Sequence, residues 1–306
     1  MQVYRRSVLA VANAQSVEQL IRRNRHSSAL VRRFVAGEDL DNAIEVVRQL
    51  SRVNVMATLD QLGENVRSLD EARKASADYV AILQRLANSG LQPNISVKLT
   101  MLGLDLGDDV ARDNLIPVLE TARQVGGFVR IDMEGSAYTE RTIRLFETVH
   151  DAYPEEVGIV IQAYLHRAEI DVERMIARQA RVRLVKGAYA EPDSIAYQSR
   201  REINDNFRRL LERLLERGRY PAIATHDDEL IAATREFAER YAIPADRYEF
   251  QMLYGVRRDE QIRLVSEGYR MRVYVPFGTQ WYPYFTRRIA ERPANAFFVL
   301  RQLISR

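Results

Sequence analysis

Eight short apolar runs recur along the chain from residue 53 onward, at intervals of roughly thirty residues. The runs are VNVMATLD (53–60), PNISVKLT (93–100), FVRIDME (128–134), VGIVIQAY (157–164), RVRLVKGAY (181–189), PAIATHD (221–227), YEFQMLYG (248–255) and RMRVYVPFG (270–278). Amphipathic stretches with helical spacing separate them, for example residues 68–87 and 199–218. Eight strands that alternate with helices predict an α/β fold, a (β/α)8 TIM-type barrel whose parallel strands are covered by helices.

The first fifty residues follow a different pattern and are predicted to be helical. Ser16 and Gln19 have the spacing of a capping box, and Gly37 is suited to end a segment. An apolar stripe follows at Ala43, Ile44, Val47 and Leu50. We therefore expect an N-terminal helical arm over residues 1–50 and a single catalytic barrel over residues 51–306.

Composition excludes several classes of function. The 306 residues contain no cysteine, which excludes disulfides and thiol nucleophiles. The 45 basic and 42 acidic residues are interspersed, so no nucleic-acid-binding face is expected. The apolar run at residues 8–12 is too short for a signal peptide or a membrane span, and a cytoplasmic location is expected. His226 has no second histidine at ligand spacing, so no metal site is expected.

Polar residues collect at the ends of the apolar runs, where the active site of such a barrel lies. They are Asp60, Lys98, Asp132, Glu134, Gln162, Arg183, Lys186, Thr225, His226, Gln251 and Tyr274. Lysine is otherwise found only at Lys74, and every other cation is an arginine. The positions of Lys98 and Lys186 therefore indicate that a compact ammonium group is needed there.

The last apolar run passes through Gly278 into a helix that carries the Arg287–Arg288 pair. Tyr274 lies on the strand face opposite the valines, and Pro283 fits the first turn of the helix. A small carboxylate above the helix would suit both guanidinium groups. The alternative is a surface helix in which these arginines pair with Glu291.

Several of these segments resemble the proline dehydrogenase family. The segments are LDQLGENV (59–66), SVKLT (96–100), DMEGSAYTERT (132–142), QAYLHR (162–167), RLVKGAY (183–189), ATHD (224–227), EFQMLYG (249–255) and the stretch 274–292. The resemblance covers roughly residues 50–295 and implies a distorted barrel that holds FAD. It implies oxidation of L-proline to Δ1-pyrroline-5-carboxylate by hydride transfer to flavin N5, with a membrane quinone as electron acceptor.

The resemblance also implies the monofunctional bacterial form, since no aldehyde dehydrogenase domain follows. For this form we also expect peripheral contact with the inner face of the cytoplasmic membrane. We further expect that the product is delivered to a separate pyrroline-5-carboxylate dehydrogenase.

Site residues follow from the resemblance position by position. Lys98, Arg287 and Arg288 match cations around the proline carboxylate, and Tyr274 and Leu253 match groups on the pyrrolidine ring. Arg183 matches an arginine near flavin N5, and Asp132 matches an active-site aspartate of undetermined role. Positions along the FAD are matched by Met133, Gln162, Lys186, Gly187, Ala188, Thr225 and His226. Gly135 departs from the polar residue that many relatives carry after DME, and no loss of function is expected there.

Three other interpretations are open at this point. Lys98 or Lys186 could form a Schiff base, as in barrel lyases. Methylenetetrahydrofolate reductase is a second flavin barrel, although it would not explain the arginine pair. A non-enzymatic basic binding module would place its cations on exposed faces, whereas two of the three lysines lie in strand-like runs.

Overall fold

Eight parallel strands close into a barrel in the computed structural model, which describes residues 31–290. Each strand pairs with the next, and β8 pairs with β1 along its length, from Met56 opposite Arg272 to Gln61 opposite Phe277. The strands are β1 (Met56–Gln61), β2 (Asn94–Val97), β3 (Phe128–Ile131), β4 (Val157–Gln162), β5 (Arg181–Val185), β6 (Ala222–Ala224), β7 (Glu249–Leu253) and β8 (Met271–Phe277). The predicted (β/α)8 barrel is confirmed, with one strand in each apolar run.

Helices alternate with these strands and cover the barrel. They are α1 (Leu40–Ser51), α2 (Leu69–Asn88), α3 (Asp108–Val125), α4 (Ser136–His150), α5 (Ala168–Ala177), α6 (Arg200–Arg217), α7 (Asp228–Arg240), α8 (Arg258–Ser266) and α9 (Trp281–Ala290). Ser68 caps α2, and Ser199 forms a capping box with Glu202 at the start of α6. The two amphipathic stretches singled out in the sequence are thus helices with side-chain caps at their predicted starts.

The two faces of the strands differ sharply in polarity. On β8, Met271, Val273 and Val275 are fully buried in the apolar layer between strands and helices. Alternation turns Arg272 and Tyr274 to the inside of the barrel. There Arg272 pairs with the buried Glu249 at 2.9 Å, and Arg130 donates to the carbonyls of Ile159 and Arg181. The interior of this barrel is therefore partly charged, where branched apolar side chains are usual.

The last helix does not lie along the outside of the barrel. Its Trp281, Tyr282, Tyr284 and Phe285 form a second apolar cluster with Leu62 and three residues of the segment 31–37, which we call the strap. The strap is bound to the end of β8 by main-chain hydrogen bonds, from Ala36 N to Pro276 O at 2.8 Å and from Gly278 N to Gly37 O at 2.9 Å. A Cβ on Gly255 would lie 1.6 Å from Arg33 O, so the strap needs glycine there. The strap and α9 therefore pack together at the mouth of the barrel.

The described part of the predicted arm is helical over residues 31–34 and in α1, where Ala43, Ile44 and Val47 are buried and Leu50 packs at the edge of the core. Ser16 and Gln19 lie outside the described residues, and the boundary at residue 50 stays a prediction. Among the helices within residues 31–290, none is long and apolar enough to cross a membrane.

One buried histidine leads us to expect a loss of stability in mild acid. Burial lowers the pKa of His150 below its ordinary value, and the charge of Arg178 lowers it further. The unfolded chain therefore binds the proton more readily, and stability falls as the pH drops below about 6.5, by at most about 1.4 kcal/mol per pH unit for this one group. Urea unfolding at pH 7.5 and at pH 5.5 should show that the free energy of unfolding falls less between these two pH values in His150→Leu than in the wild type. Equal losses in both proteins would contradict this account.

Candidate active site

All of the site residues named from the sequence line one cavity at the carboxyl ends of the strands. Its volume is about 810 Å³, in the range of cofactor and substrate sites. Those residues are Lys98, Asp132, Met133, Gln162, Arg183, Lys186, Gly187, Ala188, Thr225, His226, Leu253, Tyr274, Arg287 and Arg288. Barrel closure thus brings together positions from β2 to α9, as the prediction for strand ends required.

Asp132 accepts hydrogen bonds from two neighbours at the centre of this cavity. Arg183 NH1 lies 2.9 Å from Asp132 Oδ1, and the Tyr274 hydroxyl donates to Oδ2 at 2.8 Å. Arg183 also donates from both terminal nitrogens to Ser96 Oγ at 3.1 Å, and its guanidinium lies 5.3 Å from the centre of the Tyr274 ring. Because both of its oxygens are engaged, Asp132 fixes the orientation of a cation and a phenol.

Lys98 forms a buried ion pair with Asp60, with Nζ 2.8 Å from Oδ1. It also lies 3.5 Å from Asp132 Oδ2 and from the Tyr274 hydroxyl. Burial acts to lower the pKa of Lys98, but Asp60, Tyr274 and Asp132 outweigh it and raise the pKa well above its usual value. Burial, with the charge of Asp132, raises the pKa of Tyr274. The site therefore holds an ammonium ion beside a neutral phenol.

This electrostatic arrangement bears on the Schiff-base interpretation. A lysine nucleophile must lose its proton, which a lowered pKa favours. The raised pKa of Lys98 works against that reaction. Lys186 is paired with Asp227 at 2.6 Å. Both strand lysines are therefore engaged as cations.

The two arginines of α9 reach the cavity from above the barrel. Arg287 NH2 pairs with Glu64 Oε1 at 3.1 Å, and Arg288 lies over the Tyr284 ring at 5.4 Å. Glu291, the partner that the surface-helix interpretation offers, lies outside the described residues. The partner that the structure gives to Arg287 comes instead from the loop after β1, so this pair joins α9 to the barrel.

Gln162 offers an acceptor to a ligand. Its Nε2 donates to the carbonyls of Met133 and Glu134, each at 2.9 Å, which fixes the orientation of the amide. Within the described part of the chain, its buried Oε1 has no hydrogen-bond partner. A buried acceptor without a partner is costly, so a ligand with an N–H donor suits this position. The imide N–H of a flavin ring has that chemistry, and the residues fit the FAD that the resemblance implies.

The far end of the cavity is formed by the loops after β5 and β6. Gly187 has φ +118°, and a Cβ there would lie 2.2 Å from the Tyr164 ring, so no other residue fits. Burial acts to raise the pKa of Asp227, but the hydrogen bond and charge of Lys186, with hydrogen bonds from Asn204 and the Glu229 main chain, together outweigh it and lower the pKa to about 2. His226 Nε2 accepts from Leu253 N at 3.0 Å, which assigns the ring proton to Nδ1. Thr225 N donates to Gln251 O, completing the wall.

Several cavity residues were not assigned roles from the sequence. They are Asp60, Tyr189, Arg200 and Asp227, and Glu64 joins them through its pair with Arg287. Asp60 was recognised only as one of many polar residues at strand ends, and Asp227 only as the last residue of the quoted run 221–227. Glu64 and Tyr189 lie within the quoted segments 59–66 and 183–189, which were the available signal. In the part of the chain that the structure describes, no three His, Asp or Glu side chains are arranged to hold a metal ion.

Comparison with known proteins gives consistent matches over nearly the whole chain. A family model described as proline dehydrogenase matches residues 43–301. Proline dehydrogenase 1 of Bacillus subtilis is 43% identical over 275 residues, which cover 90% of this chain and 91% of that protein. The proline dehydrogenase of Deinococcus radiodurans is 39% identical over 307 residues, with 99% and 98% covered.

A solved structure supports the same assignment. It is the crystal structure of proline utilization A (PutA) from Bdellovibrio bacteriovorus inactivated by N-propargylglycine. The TM-score is 0.81 at 29% sequence identity, over 87% of this chain and 33% of the longer PutA chain.

Proposed function

Because the chain belongs to the proline dehydrogenase family, we propose that it oxidises L-proline to Δ1-pyrroline-5-carboxylate with FAD as cofactor and a membrane quinone as electron acceptor. This is the first step of proline catabolism. The observation that carries the proposal is the single cavity in which three cations and the acceptor oxygen of Gln162 are brought together.

The cations define where the substrate binds. Lys98, Arg287 and Arg288, which we call the carboxylate clamp, line the cavity from the end of β2 and from α9. Guanidinium groups match a carboxylate in charge and in planar geometry, and the ammonium adds a compact third charge. Three cations around one carboxylate also disfavour the protonated form of the substrate amine, which must be neutral to be oxidised.

Tyr274 and Leu253 orient the substrate ring. The phenol of Tyr274 is fixed by Asp132 at 2.8 Å, and the main chain of Leu253 is fixed by His226 at 3.0 Å. A ring bound between these side chains, with its carboxylate in the clamp, has one orientation in the cavity. Such positioning supplies a large part of the rate of a bimolecular step. Asp132 contributes by holding Tyr274 and Arg183 in place.

The remaining cavity residues would hold the cofactor. When bound, FAD would supply the hydride acceptor for the oxidation of the substrate. Gln162 would accept from its ring, and Met133, Lys186, Gly187, Ala188, Thr225 and His226 would line its length. Arg183, buried beside Tyr274, would stabilise the negative charge that accumulates on reduction.

The test is an absorption spectrum taken without oxygen. We expect the purified protein to be yellow and to bleach when L-proline is added, because electrons from the substrate reduce the bound flavin. A soluble quinone or dye should restore the colour, and NAD should remain unreduced. A colourless protein that takes up no added FAD would refute the cofactor, and proline-dependent reduction of NAD would refute the acceptor.

The proposal has two further parts, which concern the membrane and the fate of the product. The enzyme must reach the quinone pool, so we propose peripheral contact with the inner face of the cytoplasmic membrane. The product must be oxidised further, and we propose that it passes to a separate pyrroline-5-carboxylate dehydrogenase.

A further inference from the structure

Asp60 is a fully buried carboxylate that faces the clamp from below. It lies on β1, and its Oδ1 is 2.8 Å from Nζ of Lys98, the residue that follows β2. Within residues 31–290, Lys98 is its one ion-pair partner, and its Oδ2 has no hydrogen-bond partner. Burial raises the pKa of Asp60, and the charge of Lys98 opposes that rise, so each member of this buried pair affects the protonation of the other.

Lys98 is the clamp cation whose charge depends on its surroundings. The guanidinium groups of Arg287 and Arg288 keep their protons under all ordinary conditions. A lysine gives up its proton readily when buried, and Lys98 is only 7% exposed. Among the groups that oppose this loss, Asp60 has the largest effect. Tyr274, Asp132 and Tyr79 also face Lys98 and act in the same direction, so the charge of the clamp at Lys98 depends most, though not solely, on Asp60.

Strand register places Asp60 on the correct side for this role. Asp60 is opposite Ser96, two residues before Lys98 on β2, and the strands run toward the mouth of the barrel. The backbone of Asp60 is therefore level with Ser96, two residues deeper in the barrel than Lys98. An ammonium has three donors. One goes to Asp60, and Asp132 Oδ2 and the Tyr274 hydroxyl each lie 3.5 Å from Nζ, which leaves donor capacity for an anion in the cavity.

Resting on the proposed function, we propose that Asp60 is a positioning residue that keeps Lys98 protonated and directs its ammonium toward the carboxylate of the substrate. Asp60 acts through Lys98 and does not touch the substrate. A purely structural role would stabilise the barrel without setting the charge on Lys98, and the two roles can be separated by experiment.

The first experiment measures the charge on Lys98 directly. The chain has three lysines, Lys74, Lys98 and Lys186, so labelling lysine Cε with 13C gives three signals, which Lys74→Arg and Lys186→Arg assign. In the wild type we expect the Lys98 signal to stay at its charged position up to pH 10.5. In Asp60→Asn it should titrate about 1–3 units lower, the usual effect of losing an opposite charge at this distance. This readout needs neither proline nor cofactor.

The second experiment measures what that charge does. Binding of a five-membered ring carboxylate without the amine is followed by calorimetry from pH 7 to pH 10, with the holoenzyme. The wild type should show constant affinity. Asp60→Asn should lose affinity about tenfold for each pH unit above the new pKa of Lys98. Combining Asp60→Asn with Lys98→Arg should restore constant affinity, because arginine needs no partner to stay charged.

A matched control is available on the surface. Asp78 pairs with the exposed Lys74 at 2.7 Å, and Asp78→Asn should change neither readout. The proposal is overturned if folded Asp60→Asn keeps the wild-type Lys98 titration and binding profile. If that variant does not fold, the wild type alone tests the proposal. The proposal is overturned if the wild-type Lys98 signal titrates below about pH 10, which is lower than for an ordinary lysine. If the Lys98 titration depends on Asp60 but the ring carboxylate does not bind, the proposed function is rejected, whereas the effect of Asp60 on Lys98 is not.

Discussion

Replacing Arg287 with methionine is expected to lower kcat/KM for L-proline by roughly 10- to 150-fold, with bound flavin retained. The substitution removes a charge-assisted hydrogen bond to the substrate carboxylate, worth about 1.5–3 kcal/mol, and about 1.4 kcal/mol corresponds to a factor of ten in rate. Arg288→Met should behave similarly. Stability should change little, because the Arg287–Glu64 pair is 25% and 28% exposed and such pairs contribute at most about 1 kcal/mol.

The control for this prediction is another arginine in an exposed pair. Arg263 on α8 pairs with Glu260 and Glu267 and does not line the cavity. Arg263→Met should leave kcat/KM unchanged. The two clamp substitutions need not add, because they share one ligand. If a clamp variant with normal flavin absorbance turned over proline as fast as the wild type, Arg287 and Arg288 would be surface residues only.

Replacing Arg272 with methionine is expected to lower the free energy of unfolding by about 3–5 kcal/mol, because it leaves Glu249 as an unpaired charge inside the barrel. The pair is 2.9 Å apart, and its side chains are 7% and 2% exposed. Burial acts to raise the pKa of Glu249, but the charge and hydrogen bonds of Arg272, with smaller effects of Gln251 and Arg130, together outweigh it and keep the pKa below its usual value. A lower midpoint in urea would measure the loss.

A double variant distinguishes the lost pair from lost packing. Replacing Arg272 with methionine and Glu249 with leucine removes both charges, so most of the stability should return. A double variant that is less stable than Arg272→Met would show that the two charged groups contribute separately.

The strands were predictable because both of their faces are covered. A parallel strand between helices and a filled interior needs an apolar run, and each of the eight runs contains one strand. The runs were longer than the strands, however. The run 181–189 continues four residues past Val185, the end of β5, and the run 93–100 continues three residues past Val97. These extra residues are buried at 98–100 and half-buried at 186–189, so hydrophobicity alone could not mark where the strand ends.

The pairings inside the site could not be read from the sequence. Asp60 and Lys98 are 38 positions apart, and Arg287 and Glu64 are 223 apart. Which polar strand ends meet depends on strand register and on barrel closure, and neither leaves a local pattern in the sequence. The charged interior formed by Arg130, Glu249 and Arg272 was not predicted, for the same reason. A single polar residue in a strand gives the same sequence pattern whether its side chain faces water or another charged group.

The strap separates the control of substrate affinity from the residues that contact the substrate. It is held to the end of β8 by two main-chain hydrogen bonds and packs on α9 through an apolar cluster, and Trp281 Nε1 on α9 adds a bond to Glu38 at 2.8 Å just beyond the strap. Phe34 and Val35 lie in that cluster but do not line the cavity. We expect substitutions there to shift the position of α9 while the residues proposed to bind proline stay the same. On the proposed function, the strap would thus let mutation adjust the working range of substrate concentration without altering the chemistry of the site.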